Sequence, residues 1–358
     1  MIGTTRRLNP HTQTIEFTRL SSRAAKAPDT SQRESVIYRI HPARESRRLI
    51  FQLGTASPSR AVEAAKLVAG DVAGIDVNAG CPKSFSTAGG MGAALLSTPD
   101  KLCAILEALV KEVGSTYEIG ISVKIRILDT AEKTEALVRS LCQTGIVGLT
   151  VHCRTRPMRP RERAIRDQLR MIGQVCREAG VACLMNGDVV SREQAEELVQ
   201  KYGVDGAMIA TAAEANPSCF RRKDDGGLVH WRDLAEECLR TALEVENKFG
   251  NTKFILGSLI PGKEGLRRMV SMAKSYREVC EMFGLEEEIG GLAREVDAKI
   301  GIIYDRDEKG AVRTAKLKNE TARAAGGDMV RKKLFPVDGR NILAQRGTDT
   351  TRALTMEI

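Results

Sequence analysis

The residues of this sequence that are best suited to chemistry follow directly after short apolar runs. Five such runs end in polar side chains, namely Gln52, Asn78 with Cys81, Lys124 with Arg126, His152 with Arg154, and Asn186 with Asp188. Each has an ordinary structural explanation when taken alone, because a buried histidine often serves only structural hydrogen bonds and a lysine extends its stem to reach solvent. The ends of parallel strands meet at one edge of a sheet, however, so five polar ends together indicate a site.

These residue types suit the ring of a flavin. Glutamine, asparagine, lysine and histidine supply donors and acceptors for the ring carbonyls, and a cation near N1 stabilises the reduced anion. Lys124 is the natural candidate for that cation. The last two runs lead into turns of small residues, Asn186-Gly187-Asp188 and Ala210-Thr211, whose backbone amides can approach a phosphate closely.

Cys81 lies in a tight turn between Gly80 and Pro82, and glycines within 89–92 indicate a loop that can close over a substrate. A thiol that keeps its proton can act as a general acid. A nucleophile would instead need a nearby histidine or helix amino terminus, and a structural cysteine would sit within a strand. On chemistry alone the three roles are equally supported.

The elements that must position these residues are predicted from hydrophobic periodicity. Short apolar runs alternate with amphipathic stretches, the pattern of parallel strands joined by crossover helices. The predicted strands are 49–53, 74–78, 121–127, 148–152, 181–186 and 206–210. The predicted helices between them are 58–68, 100–113, 131–144, 164–179 and 192–202.

Six β/α units of about 29 residues point to a (β/α)₈ barrel of the TIM type from which two units are missing, since eight units fill about 230 residues. A doubly wound open sheet also fits the alternation, but the glycine-rich turn expected after its first strand is absent. Before residue 49 we expect one short edge strand within 35–41. After residue 210 the pattern is helical, at 231–249 and 265–283.

Four regions follow from this pattern. We expect a basic amino-terminal segment at 1–48, a partial β/α barrel at 49–222, a helical domain at 223–288 and a partly ordered basic tail at 289–358. Eleven Lys/Arg against four Asp/Glu in residues 1–60, and seven Arg against two acids in 154–170, carry much of the net charge of +9. Arginine favours phosphate recognition because its planar fork binds phosphate oxygens in pairs, although a charge run is often only a solvated face.

Several protein classes are not expected. Nine cysteines without a C-x-x-C pair predict neither a disulfide framework nor a zinc site, and we expect no metal. No run of about 18 apolar residues predicts a membrane helix, and the amino terminus lacks the apolar core of a signal peptide. We expect a monomer in the cytoplasm, or in the nucleus as well.

At this point the motifs resemble a known family. Asn78-Ala-Gly-Cys81-Pro82 with GGMGAALL after it, then VKIRI, VHCRTR, NGD and ANPSCF, are similar to the tRNA-dihydrouridine synthases. The stretches FQLGT, DVAGIDVN, KIRIL and NTKF resemble the eukaryotic type that acts at position 20 of the D-loop. The resemblance covers about residues 49–285.

The resemblance implies an FMN-dependent enzyme that uses NADPH to reduce a uracil flipped out of tRNA. Flavin N5 would deliver hydride to C6, and Cys81 would protonate C5, since the extruded base must stack on the flavin. It assigns flavin-ring contacts to Gln52, Lys124 and His152, and the FMN tail to Asn186, Gly187, Asp188, Ala210 and Thr211. It assigns the uracil to Asn78 and Arg154, and tRNA phosphates to Arg156, Arg159 and the helical domain.

The sequence departs from the family pattern in three places. Two β/α units that normally open the barrel are missing, Cys153 replaces a usual glycine, and Thr211 replaces a common arginine in the phosphate turn. Because missing strands expose sheet edges and remove part of a flavin pocket, a catalytically impaired RNA-binding remnant is the alternative function. A reductase of free pyrimidines is a third, which the arginine-rich segment argues against.

Overall fold

The computed structural model of the protein describes residues 1–20, 34–306 and 312–316. It begins with a three-stranded antiparallel sheet of order β1-β2-β3, formed by β1 (Thr5–Asn9), β2 (Thr14–Leu20) and β3 (Glu34–Ile40). Only β3 corresponds to the predicted edge strand, so the expectation of a single strand in 1–48 is wrong. The charged residues Arg7, Glu16 and Arg39 interrupt the apolar alternation, but the fold pairs them with one another and thereby buries Glu16.

A parallel sheet of six strands forms the centre of the molecule, after a short helix α1 (Pro42–Glu45). Its strands are β4 (Ile50–Leu53), β5 (Gly74–Asn78), β6 (Gly120–Arg126), β7 (Gly148–His152), β8 (Ala182–Asn186) and β9 (Gly206–Met208). The connecting helices are α2 (Pro58–Lys66), α3 (Ser84–Thr87), α4 (Pro99–Leu109), α5 (Ser115–Tyr117), α6 (Ala131–Cys142), α7 (Leu169–Glu178) and α8 (Arg192–Tyr202). Short 3₁₀ segments occupy Ala69–Asp71, Gly92–Ser97 and Pro217–Phe220, and a π turn occupies Val110–Gly114.

The strand order decides between the two predicted folds. The six parallel strands follow one another in sequence order, from β4 to β9, without the reversal that defines a doubly wound sheet. This is the order of a barrel, so the predicted barrel of six β/α units is confirmed. Strands β4 and β9 form the two edges of this sheet within the described residues.

The two faces of the parallel sheet have opposite character. Residues such as Ile75, Val77 and Val123 are fully buried in one hydrophobic cluster with residues of α2, α4, α6 and α7. The alternate residues form the polar face, which we define by three rows in register: Gln52, Asp76 and Ser122; Asn78, Lys124 and Thr150; Arg126, His152 and Asn186. Several of these side chains are only half-buried, so solvent reaches the polar face.

Helix α7 is shorter than predicted. It begins at Leu169 instead of residue 164, because the preceding loop folds over the end of β8. The amide of Ala164 donates to the carboxylate of Asp188 (2.8 Å), and the amide of Ile165 donates to the carbonyl of Cys153 (2.7 Å). These tertiary hydrogen bonds replace the first helical turn.

A helical domain follows the sheet, with a hydrophobic cluster of its own. Helix α9 (Thr211–Ala215) precedes this domain and packs on the cluster of the parallel sheet. The elements of the domain are α10 (Trp231–Glu244), α11 (Phe249–Leu259), α12 (Gly265–Met272), α13 (Tyr276–Phe283) and α14 (Glu286–Lys299), with a hairpin of β10 (Ile302–Arg306) and β11 (Val312–Lys316) after it. The helix predicted at 231–249 ends at Glu244 and a separate helix begins at Phe249, while the helix predicted at 265–283 splits into α12 and α13. Glu246 has a positive φ of 49° in the first break, and Ser275 caps the amino terminus of α13 after the second.

The boundary expected at residue 288 is wrong, because α14 continues to Lys299. Ala293 and Val296 are buried in the second hydrophobic cluster, and the buried carboxylate of Asp297 accepts from the amides of Tyr276 (2.9 Å) and Arg277 (3.0 Å). An acidic, glycine-containing stretch therefore belongs to the domain because it caps a neighbouring helix. Most of the predicted tail, at 307–311 and 317–358, lies outside the described residues.

The antiparallel sheet contacts both other parts of the molecule. Ile15 and Phe17 belong to the hydrophobic cluster of the parallel sheet, while Arg39 donates to the backbone carbonyl of Glu246 (3.1 Å). Lys248 donates in turn to the carbonyl of Val36 (2.6 Å). This sheet thus fixes the helical domain relative to the strands that carry the candidate site.

Candidate active site

The turn that carries Cys81 is held by hydrogen bonds at both of its ends. Oδ1 of Asn78 accepts from the backbone amides of Gly80 and Cys81, at 3.0 Å each. The amide of Ala93 donates to the carbonyl of Cys81 (2.9 Å). The thiol itself is partly exposed, so a substrate can reach it while its backbone is fixed.

Gly92 lets the glycine-rich loop pack against this turn. Its φ of 59° lies in the left-handed region, and a Cβ atom there would lie 2.6 Å from the carbonyl oxygen of Cys81. It would lie even closer to the hydroxyl of Ser86, which is buried. The loop is therefore packed onto Cys81, and glycine is required at this position for steric reasons.

A chain of side-chain amides connects the Cys81 turn to a buried carboxyl group. Nδ2 of Asn78 donates to Oε1 of Gln52 (3.0 Å), and Nε2 of Gln52 donates to Oδ2 of Asp76 (2.8 Å). The hydroxyl of Ser122 donates to Oδ1 of Asp76 (2.8 Å). The structure thus joins Gln52 and Asn78, two predicted site residues, and adds Asp76 and Ser122, which the sequence reasoning missed.

Asp76 is a carboxyl group within an otherwise apolar strand, and it is only 4% exposed. Burial raises its pKa, against the effect of the hydrogen bonds from Gln52 and Ser122 and of the positive charge of Lys124. A charged residue type in a fully buried strand is itself a signal, because such residues are buried only where something pairs with them.

Lys124 and Asn186 meet across the polar face. Nζ of Lys124 donates to Oδ1 of Asn186 (2.8 Å), and Nδ2 of Asn186 donates to the carbonyl of Met208 (3.0 Å). Asn186 is buried while Lys124 is half-buried. Strands β6 and β8 thus bring these two predicted site residues into direct contact.

His152 stays neutral in this environment. Burial, together with the positive charges of Lys124, Arg126 and Arg154, lowers its pKa to about 3. Its Nε2 lies 3.1 Å from Nη1 of Arg154, and because arginine can only donate, this nitrogen acts as the acceptor. His152 can therefore offer a hydrogen bond to a ligand without adding positive charge.

Two buried arginines hold the loop that follows β7. Arg154 pairs with Asp188 and donates to the carbonyls of Glu162 (2.7 Å) and Pro160 (3.0 Å). Arg126 donates to the carbonyls of Gly80 (2.8 Å) and Thr155 (2.9 Å), which ties that loop to the Cys81 turn. Burial and the nearby charge of Arg154 lower the pKa of Arg126.

The predicted tRNA-contacting residues lie on the exposed part of the same loop. Arg156 and Arg159 are exposed. The positive charge of Arg159 contributes to lowering the pKa of Arg126, so this exposed charge lies near the buried arginines behind Cys81. The loop thus exposes Arg156 and Arg159 to solvent, while the hydrogen bonds of buried Arg154 hold its backbone in place.

The turns expected to hold a phosphate lie at the ends of neighbouring strands. Gly187 has a φ of 122°, and a Cβ atom there would lie 3.1 Å from Cβ of Ala164 and 3.3 Å from Cδ2 of His152. Ala210 and Thr211 follow β9, the next strand of the sheet, and both are exposed. The carboxylate of Asp188 is bound to Arg154 and the Ala164 amide, and its backbone carbonyl accepts from Nη2 of Arg166 (3.2 Å).

The residues present fit a flavin. Nη2 of Arg166 donates to the carbonyl of Gly187 (2.8 Å), while its Nε is buried and has no hydrogen-bond partner in the described part of the chain. A buried Nε–H group of an arginine that lacks a partner among the described residues and lies beside the Gly187 turn suits a phosphate, and Lys124, Asn186 and neutral His152 suit the ring. No group of His, Cys, Asp and Glu side chains that could hold a metal occurs within residues 1–20, 34–306 and 312–316. None of the helices in these ranges is long and apolar enough to cross a membrane.

The sequence comparisons with known proteins point to one family. The family model described as dihydrouridine synthase (Dus) matches residues 6–289. The tRNA-dihydrouridine(20) synthase [NAD(P)+] of Schizosaccharomyces pombe is 52% identical over 253 residues, which cover 70% of this chain and 52% of that protein. The protein of the same name from Saccharomyces cerevisiae is 37% identical over 346 residues, covering 94% of this chain and 88% of that one.

The chain therefore spans about half the length of the Schizosaccharomyces pombe relative. Among solved structures, N-acetylneuraminate lyase from Fusobacterium nucleatum covers 71% of this chain and 98% of its own, at 11% identity and a TM-score of 0.36. A likeness of this size carries no argument, and the strand order remains the basis for the fold.

Proposed function

The chain belongs to the dihydrouridine synthase family, and from this membership and the polar face we propose that it reduces uracil to dihydrouracil in tRNA. We propose FMN as its bound cofactor and NADPH as the reductant, in line with the NAD(P)+ in the relatives' names. The observation that carries the proposal is the Cys81 turn, which holds a partly exposed thiol at the edge of a face lined by Lys124, His152 and Asn186.

Four residues of the polar face would hold the ring of the cofactor, namely Gln52, Lys124, His152 and Asn186. Lys124 and Asn186 would contact the pyrimidine edge of the flavin ring, where the lysine charge stabilises the reduced form. His152 would donate one hydrogen bond from Nδ1, because its Nε2 accepts from Arg154. Gln52 would contribute only what its bonds to Asp76 and Asn78 leave available. The backbone of Gly187, Asp188, Ala210 and Thr211 would bind the phosphate, as phosphates bind to turns of this kind.

When bound, FMN would supply the hydride that the reduction needs at C6 of the uracil. Cys81 completes the reduction by giving its thiol proton to C5, and solvent then returns a proton to the sulfur. Asn78 and Arg154 would orient the uracil, with Asn78 also fixing the backbone of Cys81. The uracil must flip out of the stacked bases of the tRNA to reach Cys81, because the residues that would contact it lie on the strands of the parallel sheet and the turns after them.

The rest of the tRNA would be bound through its phosphates. Arg156 and Arg159 are exposed on the loop above the site, and the net charge of +9 favours association with a polyanion. The helical domain would provide a second contact surface. The relatives' names point to position 20 of the D-loop, and we propose the same target here.

The decisive test is Cys81→Ala in the full chain, with Cys103→Ala as the matched control, because both thiols are partly exposed. We expect the purified protein to contain FMN and to oxidise NADPH faster when unmodified tRNA is added. Cys81→Ala should slow uracil reduction by about 10²- to 10⁴-fold, the usual contribution of a general acid, while NADPH still reduces the flavin. Full activity of Cys81→Ala would exclude the assigned role, and dihydrouridine mapping would locate the product.

The impaired remnant remains the second candidate, because β4 and β9 are open edges and the polar face is reached by solvent. It predicts protein without flavin that still binds tRNA, with an affinity that falls steeply as salt rises. A reductase of free pyrimidines predicts almost no dependence of substrate binding on salt. Flavin absorbance and a salt series therefore separate the three functions.

A further inference from the structure

Asp76 lies in the strand that leads into the Cys81 turn, and it is buried there. Its carboxyl group is bound by two neutral donors, Nε2 of Gln52 and the hydroxyl of Ser122, at 2.8 Å each. The positive charge of Lys124 also acts on this carboxyl group and opposes the effect of burial on its pKa. The three residues Gln52, Asp76 and Ser122 lie side by side in the register of β4, β5 and β6.

The hydrogen bonds above Asp76 can run in only one direction. At the upper end, Oδ1 of Asn78 accepts from two backbone amides, so the other end of this carboxamide must be its NH₂ group. That NH₂ donates to Gln52, whose facing atom must therefore be the carbonyl oxygen. The NH₂ of Gln52 then points at Asp76, which accepts it.

Each carboxamide in the chain is thus oriented by its neighbour, and the two ends of the chain agree. The backbone amides of the Cys81 turn require an acceptor at one end, and Asp76 provides an acceptor at the other. Without an acceptor at position 76, no hydrogen bond fixes the NH₂ group of Gln52, and its carboxamide is less firmly oriented with the oxygen towards Asn78. Asn78 would then be free to rotate away from the amide of Cys81.

We propose that Asp76 is a positioning residue for the proton donor: by orienting Gln52 and, through it, Asn78, it holds the backbone of Cys81 in place. This inference rests on the proposed role of Cys81 as the acid. Asp76 does not touch the reacting atoms. Its effect falls on the step in which the proton is delivered, not on the reduction of the flavin by NADPH.

Three variants of the full-length, flavin-loaded protein test the proposal. Asp76→Ala removes the acceptor and should slow the tRNA-dependent reoxidation of the flavin about fivefold, the factor for one lost hydrogen bond of ordinary net strength. Flavin reduction by NADPH, flavin content and the KM for tRNA should not change.

Asp76→Asn should restore reoxidation, because its oxygen can accept from Gln52 while its NH₂ donates to the hydroxyl of Ser122. Ser122→Ala is the matched control, since it removes a hydrogen bond of the same strength from the same carboxyl group, on the side away from Cys81. We expect it to slow the tRNA-dependent reoxidation of the flavin less than Asp76→Ala does.

A second readout does not depend on catalysis. The rate at which iodoacetamide alkylates Cys81 at fixed pH, followed by peptide mass spectrometry, reports how firmly the turn is held. Asp76→Ala should change this rate about fivefold, whereas Asp76→Asn should not and Ser122→Ala should change it less. Cys153, which is fully buried, reports general opening of the fold in the same sample.

Three results would overturn the proposal: unchanged alkylation of Cys81 in Asp76→Ala, a parallel increase at Cys153, or an asparagine variant that behaves like alanine. The last would mean that Asp76 acts through its charge. If the wild-type protein fails to reduce tRNA but Cys81 alkylation follows the expected pattern, the proposed function is wrong and the positioning role of Asp76 stands.

Discussion

Two buried carboxyl groups, Glu16 and Asp76, show how differently the fold treats its two polar regions. Glu16 lies in the antiparallel sheet, is 1% exposed and binds Arg39 (2.7 Å), Asn9 (3.0 Å) and Arg7 (3.1 Å). Burial opposes its ionisation, but these three donors outweigh that effect and lower its pKa. Asp76 lies on the polar face with neutral partners, and burial raises its pKa.

The difference shows what each region is for. Around Glu16 the charges are matched, and Arg39 extends the cluster to the helical domain through the carbonyl of Glu246. On the polar face, positive charge exceeds negative charge: Lys124, Arg126 and Arg154 all act on neutral His152, while Asp188 is the acid beside them. The buried carboxylate of the antiparallel sheet, which joins the two other parts of the molecule, is paired with arginines. The polar face instead has more positive than negative charge, which suits an anionic ligand.

The largest effect should follow removal of Glu16. Glu16→Ala leaves Arg39 and Arg7 without their carboxylate, and we expect a loss of about 3–5 kcal/mol in the free energy of unfolding. Glu34→Ala is the matched control, because Glu34 pairs with the same Arg7 near the surface, where a loss of about 0–1 kcal/mol is expected. Urea denaturation measures both, and equal losses would contradict the distinction drawn for Glu16.

Around the Cys81 turn, next to the polar face, we expect the free energy of unfolding to depend more on steric fit than on ion pairs. Gly92→Ala places a methyl group against the carbonyl of Cys81 at a positive φ, and we expect a loss of about 2–4 kcal/mol. Gly180→Ala has a similar φ of 70° with open space around it and should lose about 1 kcal/mol. If thermal unfolding finds no difference between them, the loop is not packed as described.

The excess positive charge around His152 should appear in the dependence of stability on pH. Its pKa is about 3 in the folded protein and about 6.5 in an unfolded chain. The unfolded state binds more protons between these values, so stability falls as the pH decreases from about 6.5 towards 3. Relative to His152→Gln, wild-type protein should lose about 1 kcal/mol between pH 7.5 and pH 5.5; parallel curves would contradict this.

The smallest expected effects are the changes of stability with pH that Glu16 and Asp76 cause, and these should have opposite signs. Glu16 has a lowered pKa, so it stabilises the fold above about pH 4.5, and this contribution is lost as the pH falls through the folded value. Asp76 has a raised pKa, so its relative contribution is present below about pH 3.8 and is lost as the pH rises through the folded value.

Two near-isosteric variants test these signs. Glu16→Gln should destabilise the protein more at neutral pH than at acidic pH. Asp76→Asn should behave in the opposite way, with its most favourable effect on stability at neutral pH. Unfolding curves at several pH values measure both effects. If the stability change of the two variants varied with pH in the same direction, the difference drawn between Glu16 and Asp76 would be wrong.

Much of the site was predictable because it depends on local pattern. Asn78, Cys81, Lys124, His152 and Asn186 all follow apolar runs whose strand character is clear, and parallel strands bring their ends together wherever the sheet closes. The boundaries of β5 and β7 agree with the prediction for the same reason. The role of Cys81 and the contacts with FMN and tRNA stay predictions until the experiments above are done.

Other features could not be predicted, because they depend on pairs of residues far apart in the chain. The strands of the antiparallel sheet have no clear apolar alternation, because they contain charged residues that are neutralised only when the folded strands pair them. Helix α14 belongs to the helical domain because Asp297 caps α13. Arg166 also reaches Gly187 only through the fold of the loop before α7. None of these contacts has a periodic signal.

The sequence by itself determined the β/α alternation, the helical region after it and the set of polar residues at the strand ends, since hydrophobic periodicity and short motifs encode them locally. Tertiary structure decided how those residues are oriented. Register places Asp76 beside Gln52 and Ser122, and this pairing sets the direction of the hydrogen bonds that reach Cys81. A carboxyl group in a strand acquires such a role only when the neighbouring strands bring donors to it, because hydrogen bonds depend on distance and angle.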